Sequence, residues 1–142
     1  MDIERISENG RRIHNFLGVF ELRNLNSIRL LKDDVCLIVI RNNHAIGIYV
    51  SPGTFEIYDP LGLQVLKDSE KLCEFIFANA LSRKLLVSSQ IQSPESENCA
   101  KIVLVLLLLR ANQNSFEEIT EKFRGTLNEK DALATKLFEK LF

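Results

Sequence analysis

Apolar and β-branched runs in the middle of the chain predict four β-strands. Residues 35–40 are apolar throughout, which is typical of a strand buried on both faces. The next two runs are separated by Ser51, Pro52 and Gly53, a tight connection that predicts a hairpin. The predicted strands are residues 35–40, 44–50, 54–59 and 85–91, with a turn at 41–43 and a packed loop or short strand at 16–20.

Helical spacing of apolar positions appears on both sides of these strands. Within residues 69–83, apolar positions recur at intervals of three and four, and Ser69 is a candidate N-cap. The other predicted helices are residues 2–9, the apolar run that begins near Cys99, residues 115–124 with a capping box, and residues 128–142 with a stripe of Leu133, Leu137, Phe138 and Leu141. Strands in the middle and helices at the ends predict a single α+β domain over residues 1–142, with a mostly antiparallel central sheet flanked by helices.

Composition narrows the function classes. Of the 142 residues, 46% are apolar and 26% are charged, and the net charge of −1 offers no global positive field, so we expect weak or no nucleic-acid binding. Three widely spaced cysteines predict neither a disulfide framework nor a zinc site and favour a reducing, intracellular compartment. The polar residues after Met1 do not resemble a secretory signal, and the longest apolar run, 102–109, is shorter than the roughly 20 residues of a membrane span.

A polar, turn-rich segment changes abruptly to this apolar run at Cys99. Unpaired backbone N–H groups and the positive end of a helix dipole stabilise a thiolate at such a position. Gln92, on the incoming segment, has an amide that could donate to an oxyanion forming beside the sulfur. Between them lie Pro94 and three candidate cap residues, Ser93, Ser96 and Asn98.

The predicted hairpin supplies a base for this nucleophile. If residues 44–50 pair with 54–59, His44 and Asp59 meet at the same end of the sheet, where the carboxylate can orient the imidazole. Taken singly, each residue is more often structural: the histidine as a hydrogen-bonded strand residue, the aspartate as a turn cap, and Cys99 as a small buried apolar side chain. The ordered set of four residues predicts a cysteine hydrolase site. Cys36 and Cys73 fit the structural interpretation, and His14 has no carboxylate at a hairpin position.

Three segments of the chain resemble adenain, the adenovirus-type cysteine endopeptidase family. Residues 16–21 are similar to its Phe-Leu-Gly-x-Phe-Asp motif, and residues 54–62 to its Thr-Phe-Tyr-Leu-Phe-Asp-Pro-Phe-Gly segment. Residues 92–99 match its Gln-x-Pro-x-Ser-x-x-Cys spacing. The resemblance implies a papain-like fold, in which His44 is the general base, Asp59 the third member of the triad, Gln92 the oxyanion donor and Cys99 the nucleophile. The implied function is cleavage of capsid or core precursor proteins at glycine-containing sites during particle maturation, in the host nucleus or the virion.

Two departures from the family pattern keep other functions open. Ala45 and Ala100 stand where the family usually has Trp and Gly. The alternatives are a deconjugating protease for SUMO or a ubiquitin-like modifier, and a degenerate protease domain that serves as a binding module. The chemistry needs no metal or organic cofactor. The family is activated by a disulfide-linked peptide and by DNA, but residues 80–87 contain no Cys, and the near-neutral net charge does not favour dependence on DNA.

Overall fold

A computed structural model describes residues 1–29, 32–62, 69–92 and 96–142, and these form an α+β domain. Five strands make one sheet in the order β1 to β5. The strands are β1 (Phe16–Glu21), β2 (Val35–Arg41), β3 (His44–Val50), β4 (Thr54–Tyr58) and β5 (Lys84–Val87). The α-helices are α1 (Ile3–Gly10), α2 (Glu70–Ala80), α3 (Cys99–Ala111), α4 (Phe116–Lys122) and α5 (Leu127–Leu141), and Leu22–Ser27 is a 3₁₀ helix.

The sheet is mixed, which corrects the prediction of a mostly antiparallel sheet. The pairs β2–β3 and β3–β4 are antiparallel, whereas β1 pairs with β2 and β5 pairs with β4 in parallel. Two neighbouring strands can run parallel only if the connection between them returns the chain to the same end of the sheet. The 3₁₀ helix lies in that connection between β1 and β2, and α2 lies in it between β4 and β5.

A two-residue turn sets the start of β3. Asn42 and Asn43 have φ angles of 48° and 64°, the positive values that a type I′ hairpin turn requires and that asparagine tolerates. Arg41 therefore belongs to β2, not to the predicted turn, and it pairs with His44 across the hairpin. The turn fixes His44 as the first residue of β3.

The sheet separates two cores, because side chains alternate along the strands. On one face, Leu37 and Val39 of β2 pack with Ile48 and Phe55 under α2 and the 3₁₀ helix. On the other face, Cys36 and Ile38 pack with α3, which is buried over most of its length. Helices α1 and α5 also contribute to this second core.

Two contacts hold α3 against the sheet. A Cβ atom added at Gly47 of β3 would lie 2.8 Å from Cγ1 of Val103, so the glycine permits the close approach of helix and strand. At the far end of α3, Nε and Nη2 of Arg110 lie 2.8 and 3.1 Å from the two carboxylate oxygens of the buried Glu56 on β4. The register of α3 on the sheet is thus fixed at both positions.

Several predicted boundaries shift. The helix predicted over residues 69–83 ends at Ala80, because Leu81 adopts a φ of 51°, although Ser69 caps its start as expected. The strand predicted over 85–91 is Lys84–Val87; afterwards the N–H groups of Ile91 and Gln92 both donate to the carbonyl of Pro60. Of the stripe predicted on the last helix, Leu133, Leu137 and Phe138 pack on the core while Leu141 is exposed. Among the described helices, none is long and apolar enough to cross a membrane.

Candidate active site

His44 and Asp59 meet at one end of the sheet. Nε2 of His44 lies 2.7 Å from Oδ1 of Asp59, and the carboxylate is fully buried while the imidazole remains partly exposed. Asp59 directly follows β4, whose last residue Tyr58 pairs with Gly47 of β3. The hairpin therefore brings the two side chains together as the sequence predicted.

The turn after β4 holds the carboxylate of Asp59. Its Oδ1 also accepts a 2.9 Å hydrogen bond from the backbone N–H of Leu61. The backbone N–H of Asp59 donates to Oγ of Ser88, 3.0 Å away. Oδ2 is buried and has no hydrogen-bond partner among the described residues. Sequence reasoning did not single out Ser88, because a serine in a strand-like run carries no signal for such a contact.

Cys99 is the first residue of α3, as predicted. Burial works to raise the pKa of this thiol, but a hydrogen bond with His44 and the backbone N–H groups of Ala45 and Ala100 lower the pKa below its ordinary value. As a neutral thiol, the sulfur can donate to the carbonyl of Asn43, 3.7 Å away. The surroundings of Cys99 therefore favour its thiolate form.

His44 is held in its charged form. Burial works to lower the pKa of the imidazole, but the hydrogen bonds with Asp59 and Cys99 outweigh it and raise the pKa to about 9. Because Nε2 is taken by Asp59, Nδ1 is the ring nitrogen left to face the sulfur. The opposite shifts of the two groups favour an imidazolium–thiolate pair at neutral pH.

Gln92 lies in the same region with its side-chain amide oriented by the loop before α3. The side chain is buried, and Nε2 donates to the carbonyl of Ser96. Oε1 is buried without a partner in the described part of the chain. An amide nitrogen carries two N–H groups, and among the described residues only the bond to Ser96 uses one of them. The other is the donor that the predicted oxyanion role requires.

Neither of the described cap candidates, Ser96 and Asn98, makes a side-chain capping bond to α3. Asn98 occupies the N-cap position but makes no capping bond, and Ser96 accepts from the backbone N–H of Asn98 instead. Ser93 and Pro94, which belong to the predicted motif, lie outside the described residues.

An open cleft of about 1440 Å³ contains three of the four predicted site residues: His44, Gln92 and Cys99 line it. Its wall also includes α1, the segment after β1, and Ala100, where the family pattern has Gly.

Cys36 is buried in the core, where burial raises its pKa to about 12, and His14 is exposed away from the cleft lining. No group of three or more metal-ligating side chains occurs among the described residues. A thiol and an imidazole thus line an open cleft, with a buried carboxylate bonded to the imidazole, and these are the side-chain types that nucleophilic catalysis uses.

Comparisons with known proteins give information on the fold alone. No family model and no curated protein matches the chain. Among solved structures, it is similar to the central domain of the uncharacterized Lpg1148 protein from Legionella pneumophila. The identity is 11%, the TM-score is 0.56, and the match covers 99% of this chain and 94% of that domain. The resemblance to adenain stays a prediction from the sequence.

Proposed function

We propose that this protein is a cysteine endopeptidase of the adenain type, with a papain-like arrangement of its site. The observation that carries the proposal is the 2.7 Å bond between His44 and Asp59 beside Cys99 at the start of α3. A cysteine at a helix start is ordinary by itself. A cysteine whose pKa is lowered by a histidine that a buried carboxylate orients, in an open cleft, has the parts that nucleophilic catalysis needs.

The chemistry proceeds from the ion pair. Cys99 attacks the carbonyl carbon of the scissile peptide bond, and the resulting oxyanion accepts from the Gln92 amide and the backbone N–H of Cys99. The His44 imidazolium then gives its proton to the leaving amine, which departs and leaves a thioester. Water, deprotonated by His44, attacks the thioester and releases the acid and the thiolate. Asp59 orients the ring throughout and needs no proton of its own.

The resemblance supplies the substrate class: capsid or core precursor proteins cut at glycine-containing sites, in the host nucleus or the virion. Ala100 lines the cleft next to Cys99, and its methyl group would lie near a peptide bound at Cys99. A glycine in the substrate leaves room beside that methyl group. The deconjugation of a ubiquitin-like modifier uses the same chemistry on a different polypeptide and is distinguished by substrate.

Hydrolysis assays test this proposal. The wild type is offered glycine-containing peptides from capsid-type precursors and, in parallel, a panel of ubiquitin-like conjugates. Cys99→Ala and His44→Ala should lose turnover while keeping cooperative melting, whereas the matched thiol control Cys73→Ser should retain it. Cleavage of conjugates alone would select the deconjugating protease. A wild type that cleaves nothing and alkylates Cys99 no faster than a model thiol would overturn the proposal in favour of a binding module.

A further inference from the structure

The side chain of Asn98 is bound by α5. Its amide nitrogen donates to Oδ1 of Asp131, 2.9 Å away, and to Oγ1 of Thr135, 3.3 Å away. Both N–H groups of the amide are therefore engaged by residues one turn apart on that helix. This arrangement turns the side chain toward α5 instead of toward the first turn of α3.

The other described α-helices begin differently. Each has a side chain at the N-cap that accepts from the backbone N–H three residues later; these caps are Asp2, Ser69, Ser115 and Thr126. Asparagine is itself among the preferred N-cap residues. Asn98 has a φ of −92° and a ψ of 10°, outside the extended conformation that capping uses, and it makes no cap bond. The bonds to α5 account for the missing cap.

A cap at this helix would compete with the proposed reaction. The oxygen of a capping side chain accepts from the second or third N–H of a helix, here Ala100 or Lys101. The N–H of Ala100 is one of the groups that stabilise the Cys99 thiolate. A cap would also place the negative end of an amide dipole beside a negatively charged sulfur.

The carboxylate of Asp131 is not explained by its contribution to the stability of the fold alone. Its Oδ2 is buried and has no hydrogen-bond partner among the described residues. A buried carboxylate oxygen without a partner costs stability, and such exceptions call for an explanation. A role in holding Asn98 provides one.

We propose that Asp131 and Thr135 are positioning residues, which hold the Asn98 amide against α5 and so keep the backbone N–H of Ala100 available to the Cys99 thiolate. This inference rests on the proposed cysteine peptidase function. None of the three residues touches the reacting atoms in this scheme. Asp131 and Thr135 act through Asn98, which occupies the N-cap position but makes no capping hydrogen bond.

The test is the pH dependence of Cys99 alkylation by iodoacetamide, read on the Cys99 peptide by mass spectrometry so that Cys36 and Cys73 stay native. In Asp131→Ala/Thr135→Val, Asn98 is free to cap α3, and labelling at about pH 6 should slow about tenfold, the effect of one hydrogen bond to a charged group. Adding Asn98→Ala removes the capping side chain and should return the rate to within about threefold of wild type. The single variant Asp131→Asn retains an acceptor oxygen for the Asn98 amide, so its Cys99 should be labelled at close to the wild-type rate.

Rescue by Asn98→Ala is the result that a merely structural role of α5 would not produce. A double variant that labels at the wild-type rate, or one whose slow labelling persists when Asn98→Ala is added, overturns the inference. If the double variant lacks a cooperative melt, Asp131→Ala and Asp131→Asn are compared instead, with the same expected difference. An unreactive Cys99 in the wild type would overturn the proposed function and this inference together. If the wild type is reactive, a failed rescue overturns this inference alone and leaves the proposed function standing.

Discussion

His44 and Asp59 are joined by a 2.7 Å hydrogen bond at one end of two neighbouring strands, and the turns at that end place both residues. The Asn42–Asn43 turn makes His44 the first residue of β3. The end of β4 at Tyr58 then places Asp59 in the following turn, where the N–H of Leu61 holds the same carboxylate oxygen. Since both side chains are anchored by backbone geometry, the imidazole is oriented before any substrate arrives.

Asp59→Asn tests the charge of this pair separately from its shape. The amide keeps an acceptor for Leu61 and His44 but removes the negative charge, so the raised pKa of His44 should fall toward its ordinary value. We expect the alkaline limb of the pH profile of kcat/KM to move down by about one unit or more. Asp34→Asn removes the same charge from an exposed position that tolerates asparagine at its positive φ, and it should leave the profile in place. An unmoved alkaline limb in Asp59→Asn would contradict the assigned role.

Gln92→Ala tests the stabilisation of the oxyanion separately from the stabilisation of the thiolate. Loss of one oxyanion donor typically lowers kcat by about 10²–10³-fold. The thiolate is stabilised by His44 and by backbone N–H groups, so the alkylation rate of Cys99 should change by less than about threefold.

Gln90→Ala is the matched control for that variant. The Gln90 amide donates to the backbone carbonyl of Gln92, 3.0 Å away, so its removal loosens the same loop without removing the proposed donor. If Gln90→Ala lowers kcat as strongly as Gln92→Ala, the loop conformation and not the Gln92 amide supports turnover.

Gly47→Ala tests the contact that seats α3 on the sheet. The new methyl group would lie 2.8 Å from Val103 and 3.2 Å from Leu107, both on the helix that carries Cys99. We expect the free energy of unfolding to fall by about 1–3 kcal/mol, measured by urea denaturation, because overpacking forces the helix or its side chains to shift. Gly53→Ala meets no atom within 4 Å and should be neutral or slightly stabilising. Equal effects of the two substitutions would show that the helix accommodates the methyl group freely.

Local patterns explain why much of the site could be predicted from the sequence. The hairpin, the N-cap of α2 at Ser69 and the start of α3 at Cys99 each follow from a few neighbouring residues. His44 and Asp59 are only 15 positions apart, so one turn suffices to bring them together. Such short-range information is contained in residue type and spacing.

The parts that sequence reasoning missed depend on contacts between distant segments. Asn98 binds Asp131 and Thr135, which are 33 and 37 positions away, and this tertiary contact overrides the usual capping preference of asparagine. The parallel pairing of β1 with β2, and of β5 with β4, likewise depends on how the connections between these strands return to the sheet. The bond between Ser88 and Asp59 spans 29 positions. No local pattern encodes these partners.

The raised pKa of His44 predicts a pH dependence of stability. The folded protein holds the imidazole proton with a pKa of about 9, against an ordinary value of 6.5, so it binds this proton more tightly than the unfolded chain does. The resulting stabilisation is fully present below about pH 6.5 and is lost as the pH rises through about 9. With about 1.4 kcal/mol for each pKa unit, its upper limit is roughly 3.5 kcal/mol.

The measurement is the difference in free energy of unfolding between the wild type and His44→Gln, from urea denaturation at intervals between about pH 6 and 10. The lowered pKa of Cys99 acts in the opposite direction, since its stabilisation is present at high pH and is lost as the pH falls. Repeating the comparison in a Cys99→Ala background removes that contribution and leaves the effect of Asp59. The difference should shrink with rising pH in the Cys99→Ala background, whereas with Cys99 present the two opposing pKa shifts should leave little net pH dependence. A flat difference in the Cys99→Ala background would mean that the bond between His44 and Asp59 holds a neutral imidazole, and the ion-pair mechanism would lose its basis.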